Sequence, residues 1–321
     1  MKLPFFAVVE QDFAAVNQLI LDSLSSHVPL VEEISEYLID AGGKRLRPLL
    51  VLLSANASGY RGREHIALAA IIEFLHTAML LHDDVVDASE LRRGRKTVNA
   101  TWGNPASVLV GDFLHSRAFE MMVEIGDLRV MEILSHATNT IAEGEVQQLT
   151  NIRNPDISEA SYMEVISRKT AMLFEAASHS AAVLANASPE EEAALKKFGL
   201  HIGLAFQLVD DVLDYRGDTT NLGKNVGDDL AEGKMTLPLI IARARGNQAQ
   251  AEFVKEAIMT GGVENFADMV KVVTETGGLD YTQQLALEQT AAASASIDCL
   301  ADSTFKSAMQ ELATFSTSRS F

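Results

Sequence analysis

The chain holds a single cysteine, Cys299, among its 321 residues. No internal disulfide framework can form, and a reducing compartment is allowed. There is no cysteine pair and no His-Glu-x-x-His run, so the common zinc-ligand patterns are missing. Cations are scarce: 26 Lys and Arg stand against 44 Asp and Glu, a formal net charge of −18. Such a chain repels a nucleic-acid backbone, and it repels small anions too unless local cations override the overall field. No stretch carries the roughly 18 uninterrupted apolar residues of a membrane-spanning helix. The apolar start Met1–Val9 is short and runs into Glu10 and Asp12 without a small-residue cleavage pattern, so it reads as mature sequence. Prolines number seven; Pro29, Pro48, Pro105, Pro155, Pro189 and Pro238 read as breaks between apolar segments, and Pro4 lies at the start. Alternating Val, Ile and Thr runs bounded by hairpin signals are also missing.

What is present is helical. The chain is 47% hydrophobic, ample for a large core. Val31, Ile34 and Leu38 recur at three- and four-residue steps, as a buried helical stripe requires. Ser188-Pro189-Glu190-Glu191 combines an N-cap serine, a first-position proline and a glutamate three residues after the cap. Gly261-Gly262 and Gly277-Gly278 mark late turns. No linker or change of composition divides the sequence, which predicts one all-α domain over 1–321.

One motif is written twice. Asp83-Asp84-Val85-Val86-Asp87 and Asp210-Asp211-Val212-Leu213-Asp214 are both Asp-Asp-x-x-Asp, and each follows an apolar run. Residues three and four apart share a helix face, so Asp83, Asp84 and Asp87 can point one way, and Asp210, Asp211 and Asp214 likewise. Like charges there repel and need compensation. Carboxylate clusters suit Mg²⁺, which takes oxygen ligands and shares them with water and phosphate. The spacing therefore predicts two Mg²⁺-binding walls gripping a diphosphate; the plainer alternative is two solvated acidic faces.

The few cations cluster near these motifs. Gly42-Gly43-Lys44-Arg45-Leu46-Arg47-Pro48 places Lys44 and Arg47 three apart after a glycine turn. Arg92-Arg93-Gly94-Arg95-Lys96 follows the first acidic motif as a basic loop. Arginine's planar fork suits phosphate, and lysine acts as a point charge. Lys169-Thr170, Gln207, Lys224 and Lys234 follow. Gly223-Lys224-Asn225 is not a nucleotide P-loop, since the upstream glycine is misplaced and Asn225 replaces Ser or Thr. Gly227–Lys234 fits a flexible lid over metal and phosphate, or an ordinary polar loop. His76, about two turns before Asp83, reads equally as a core histidine or as a diphosphate contact.

In this order, these motifs resemble the trans-type isoprenyl diphosphate synthases, and within them the bacterial octaprenyl enzymes that make quinone side chains. Gly144-Glu145 and Phe206–Tyr215 belong to the same pattern, which runs from about Gly42 to Pro238. The resemblance implies an all-α prenyl-synthase bundle around a central cavity, a cytoplasmic homodimer, and head-to-tail condensation of isopentenyl diphosphate onto an allylic diphosphate, farnesyl diphosphate being the expected primer. It implies two or three Mg²⁺ ions. Lys44, Arg47, His76 and Arg93 would hold isopentenyl diphosphate, and Arg92 the allylic diphosphate. Asp83, Asp87 and Asp210 would ligate metal directly, with Asp84, Asp211 and Asp214 in support. Lys169, Thr170, Gln207, Lys224 and Lys234 would line the allylic pocket, with Lys169 and Lys224 offsetting charge on the leaving diphosphate.

Product length should be set upstream of Asp83. Early-stopping synthases of this kind resemble one another in a bulky aromatic near that point. Here Ala78 is small and Met79 follows, so the floor of the tunnel should lie deeper, near Phe74 or across from it at Phe119 and Met122. The alternatives are a farnesyl or geranylgeranyl synthase, a terpene cyclase, which needs no second basic site, and a noncatalytic partner subunit, which would have lost acidic residues.

Overall fold

A computed structural model describes residues 4–40, 42–216 and 227–318. Apart from a two-stranded hairpin, every regular element among them is helical. The prolines expected to break helices mostly begin them. Pro29 and Pro189 open their helices, Pro105 and Pro238 come second, and Pro48 comes third. A first-turn residue needs no helical N–H, so proline is tolerated there. Pro155 alone of the internal six lies in a turn. The cap at Ser188 forms as expected: Glu191 N donates to Ser188 Oγ at 3.3 Å and Ser188 N donates to Glu191 Oε2 at 3.0 Å. Gly261 takes φ +71° at a helix end, a left-handed conformation that favours glycine. Phe5 and Val9 are buried.

Contacts group the chain into two compact units, each assembled from separate stretches. The first is Met1–Thr138, Leu173–Gly199 and Ser294–Leu312; the second is Asn139–Met172, Leu200–Ala293 and Ala313–Phe321.

In the first unit the helix Glu64–Val86 is the core. It is long and apolar enough to cross a membrane, yet Leu68 through Ile72 are fully enclosed by protein. It packs along Asn104–Ile125. A Cβ at Gly111 would fall 2.4 Å from His82 Nε2, so glycine lets the two helices approach beside the first acidic motif. Ser107 Oγ donates to Leu81 O at 2.8 Å and fixes that crossing.

The second unit is built around Tyr162, Leu208, Leu237, Ile258 and Met269. Gly203 allows a close approach, since a Cβ there would fall 2.4 Å from Ala171 Cα. At that contact the helical chain widens into a π turn over Ser167–Ala171. Such bulges tend to mark functional positions, and this one carries Lys169 and Thr170.

Candidate active site

The first acidic motif lies at the C-terminal end of Glu64–Val86. Asp83 and Asp87, four apart, are half-buried. Asp84 is 4% exposed and turns inward. This corrects the expectation of three acids on one face: a neighbour lies about 100° around the helix, and Asp84 takes the protein side. It accepts from Arg92 Nε at 2.8 Å and Nη2 at 2.7 Å, while Asn99 Nδ2 donates to its backbone carbonyl at 3.0 Å. Burial pushes the Asp84 carboxyl up, and Arg92 opposes the shift. Arg92 is thereby bound to an acid of the motif.

The expected basic loop is a hairpin. Leu91–Arg92 pairs antiparallel with Arg95–Lys96. Its two turn residues, Arg93 and Gly94, have φ +55° and +74°, the mirror-image turn that matches strand twist. The turn sends Arg93 back to donate to Gly42 O. A Cβ at Gly43 would lie 2.5 Å from Arg93 Nη1, so that glycine makes room for the arginine, while Gly42 has a left-handed φ of +65°. Arg95 lies 4.2 Å over the ring of Tyr37.

Arg47 meets His76 at 3.1 Å, Nη1 to Nε2, and stacks 4.2 Å over Phe174. Arginine only donates, so His76 Nε2 accepts and the ring proton sits on Nδ1. Burial, then Arg47, Arg93 and Arg92, hold His76 well below its ordinary pKa, so the ring is neutral. Burial lowers Arg47 to about 10, which leaves it a cation at neutral pH. Lys44 is exposed. Arg45, Glu73, His76, Arg92, Arg93 and Asp84 line one cleft with Phe74 and Leu80, with about 860 Å³ of empty space counted out to its mouth.

The second motif closes the long helix Pro189–Arg216. Asp210 is half-buried; Asp211 and Asp214 are 1% and 0% exposed. Tyr162 Oη donates to Asp211 Oδ2, and Gln207 Nε2 donates to Oδ1 at 2.9 Å. Thr170 Oγ1 in turn donates to Gln207 Oε1 at 2.9 Å. Burial, then Asp229, push Asp211 far above the carboxylate range, against the Tyr162 and Gln207 bonds. Asp214 Oδ1 accepts from Gly227 N at 3.3 Å. Lys169 Nζ donates to Glu145 Oε2 and Gln148 Oε1, both at 2.7 Å. Gly144 allows this, because a Cβ there would lie 3.0 Å from Lys169 N. Lys234 pairs with Glu232.

The lid reading of 227–234 is corrected. Asp228–Ala231 is a helical turn whose Leu230 is fully buried, and Arg153 N donates to Gly233 O at 2.9 Å. The segment is anchored at both ends. Lys224 lies outside the described residues. Of the residues expected to set product length, Ala78, Phe74 and Met122 are buried, and Met79 and Phe119 half-buried. Phe74 lines the cleft of the first unit, and Phe119 stacks on His115 at 5.1 Å.

Tyr162, Arg45 and Glu73 escaped sequence reasoning. Arg45 sat unremarked inside a basic run, and Glu73 stood three residues before His76 on the same helix. Nothing in the sequence marks Tyr162, which lies 49 positions from its partner.

Among the described residues no three His, Cys, Asp or Glu side chains converge into a metal cage. In each motif the middle acid is bound by protein donors while a partly accessible Asp83, Asp87 or Asp210 remains beside it. That donor set fits a hard cation that completes its shell with water and phosphate oxygens.

Residues 28–275 match the family model described as polyprenyl synthetase. The chain is 49% identical over 310 residues to the octaprenyl diphosphate synthase of Escherichia coli, covering 96% of both chains. It is 46% identical to the geranyl-diphosphate-specific all-trans-nonaprenyl-diphosphate synthase of Rhodobacter capsulatus, covering 97% of this chain and 96% of that one. Among solved structures, a Caulobacter crescentus polyprenyl synthase complexed with calcium and isoprenyl diphosphate superposes with a TM-score of 0.95 at 46% identity, covering 98% of this chain and 97% of the other.

Proposed function

The chain belongs to the polyprenyl synthetase family and is a prenyltransferase, and from that premise we propose that it makes an octaprenyl-length trans-polyprenyl diphosphate. Isopentenyl diphosphate units add head-to-tail to an allylic primer, farnesyl diphosphate, and the product supplies a quinone side chain. The observation that carries this reading is the cationic cluster of Arg47, neutral His76 and Arg93 in the unit that holds the first acidic motif. One diphosphate needs the acidic motif; a second anion gives the separate basic cluster its purpose. A cyclase would have no use for it.

Asp83, Asp87 and Asp210 would hold Mg²⁺, two or three ions, with Asp84, Asp211 and Asp214 as their buried supports. Bound there, Mg²⁺ supplies Lewis-acid stabilisation of charge on the departing diphosphate. Arg92, Lys169, Thr170, Gln207, Lys224 and Lys234 would bind the allylic substrate, and Lys169 and Lys224 would offset the charge its diphosphate gains as the allylic C–O bond breaks. Lys44, Arg47, His76 and Arg93 would hold the isopentenyl diphosphate so that its double bond faces the allylic carbon. That double bond forms the new C–C bond, and a proton then leaves to restore an alkene.

We read the chain as one catalytic domain acting as a homodimer. Leu109, Val123 and Leu128 are exposed at 66%, 64% and 80%, an apolar set that a partner surface would cover. The single cysteine fits the cytoplasm.

Purified protein given radiolabelled isopentenyl diphosphate, farnesyl diphosphate and Mg²⁺ should yield octaprenyl-sized products on chromatography. Products stopping at geranylgeranyl size would make it a short-chain synthase, and no incorporation would remove the reading. Ala78→Phe should shorten the product and leave the first condensation largely intact. Overpacking alone would instead cost about 1–3 kcal/mol of stability and leave product length unchanged.

A further inference from the structure

The basic run that presents Lys44 and Arg47 rests on a residue held in a conformation it disfavours. Arg45 has φ +45° and ψ +45°, left-handed backbone that a side chain with a Cβ rarely adopts, at the N-cap of the helix Leu46–Ala57. Such a conformer persists only where its surroundings over-determine it. Two side chains do so here. Asn17, on the helix Glu10–Ser23, accepts from Arg45 Nη1. Glu73 places Oε1 3.8 Å from Arg45 Nε. Both partners of that ion pair are largely enclosed, with side chains 13% and 15% exposed, so solvent screens it little.

Glu73 lies in the cleft with Arg45, His76 and Arg93; burial pushes its carboxyl up, and Arg45, Arg47 and Arg93 oppose the shift. Among the described residues, its buried Oε2 has no hydrogen-bond partner, and neither does buried Arg47 Nε. A carboxylate enclosed in this way is costly unless it serves an arrangement. Three guanidiniums around one carboxylate leave an excess of positive charge for an arriving anion, while the carboxylate limits their mutual repulsion before the anion comes.

We propose that Glu73, acting with Asn17 through Arg45, is a positioning residue that holds the basic run in shape for isopentenyl diphosphate. The inference rests on the reading that this substrate binds at Lys44, Arg47, His76 and Arg93. Glu73 touches no reacting atom. Its effect is on affinity for one substrate of two.

The test is the KM for each substrate, with kcat and the thermal midpoint, in Glu73→Gln, Glu73→Asp and Asn17→Ala. Wild-type protein must first incorporate isopentenyl diphosphate; if it does not, the functional reading fails and this inference is not what failed. Given that activity, Glu73→Gln should raise the KM for isopentenyl diphosphate roughly 10- to 100-fold, the worth of one charge-assisted contact. The KM for farnesyl diphosphate should stay where it was. Glu73→Asp should recover part of the loss, and Asn17→Ala should shift the same KM in the same direction by less. If Glu73 only competes with the anion for the arginines, Glu73→Gln will leave that KM unchanged or lower it, and the proposal is wrong. Equal rises for both substrates with a lowered midpoint would show a merely structural role and overturn it too. Should Glu73→Gln not fold, Asn17→Ala decides alone: a selective rise supports the proposal, and no rise overturns it.

Discussion

Two copies of one five-residue motif have been given different surroundings. In both, the middle acid turns into the protein. Asp84 meets a cation, with Arg92 at 2.7 Å. Among the described residues Asp211 meets neutral donors, Tyr162 and Gln207, and has Asp229 and Asp210 acting against it. The third acid differs as well: Asp87 is half-buried and Asp214 is fully buried. The first copy thus pairs its buried acid with a cation. The second buries two acids, Asp211 and Asp214, and among the described residues neutral side chains donate to Asp211.

The largest effect should come from the shared feature. Asp83→Ala and Asp210→Ala should each lower turnover by roughly 10²-fold or more, an effect of the size seen on losing one preorganised charge contact. Circular dichroism should show both variants folded, because removing an acid from an acidic cluster relieves repulsion. Near-normal turnover of either variant in excess Mg²⁺ would falsify its assignment as a ligand.

A smaller effect separates the copies. Arg92→Ala strands the buried Asp84 carboxyl and should cost about 1.5–3 kcal/mol of stability, the range for a hydrogen bond to a charged group. Tyr162→Phe removes one neutral donor and leaves Gln207 in place, so it should cost nearer 1 kcal/mol. Denaturant melts of the metal-free protein would settle the order; equal costs would mean that the two supports do not differ in kind.

The smallest effect is a slope. Asp211 keeps its proton in the folded chain at pH values where the unfolded chain has lost it. The folded state then binds more protons, so this group's contribution to stability is full below about pH 4 and fades as pH rises above it. In chelator-treated protein, Asp211→Asn should flatten that decline. Mg²⁺ should flatten it in the wild type. An unaltered slope in the variant would place the buried acid elsewhere, with Asp214 the next to replace.

Much of this was legible in the chain itself. The helical class followed from periodicity, because a buried stripe of 3.6-residue period has few other uses. The glycines at 43 and 144 were visible as motif members, though only the fold gave their reason, which is the space taken by Arg93 and by Arg168-Lys169. The paired acids were legible because charge on an otherwise apolar helix demands a purpose. Which acid of each set turns inward was not, since spacing gives only the angle between neighbours and never the side on which the core lies. The hairpin at Leu91–Lys96 was missed because two-residue strands leave no alternating run to detect. The proline breaks were misplaced by a turn, because a first-turn proline and a loop proline look alike in one dimension.

By itself, then, the sequence determined the helices, the repeated acids and the cations set beside them, all of which are local in the chain. The tertiary structure decided the partners: Arg92 for Asp84, Tyr162 for Asp211, Glu73 for Arg45. Each of those pairings spans 8 to 49 positions. Hydrogen bonds and ion pairs act over a few ångströms of space whatever the separation along the chain, and only folding sets which groups lie within that reach.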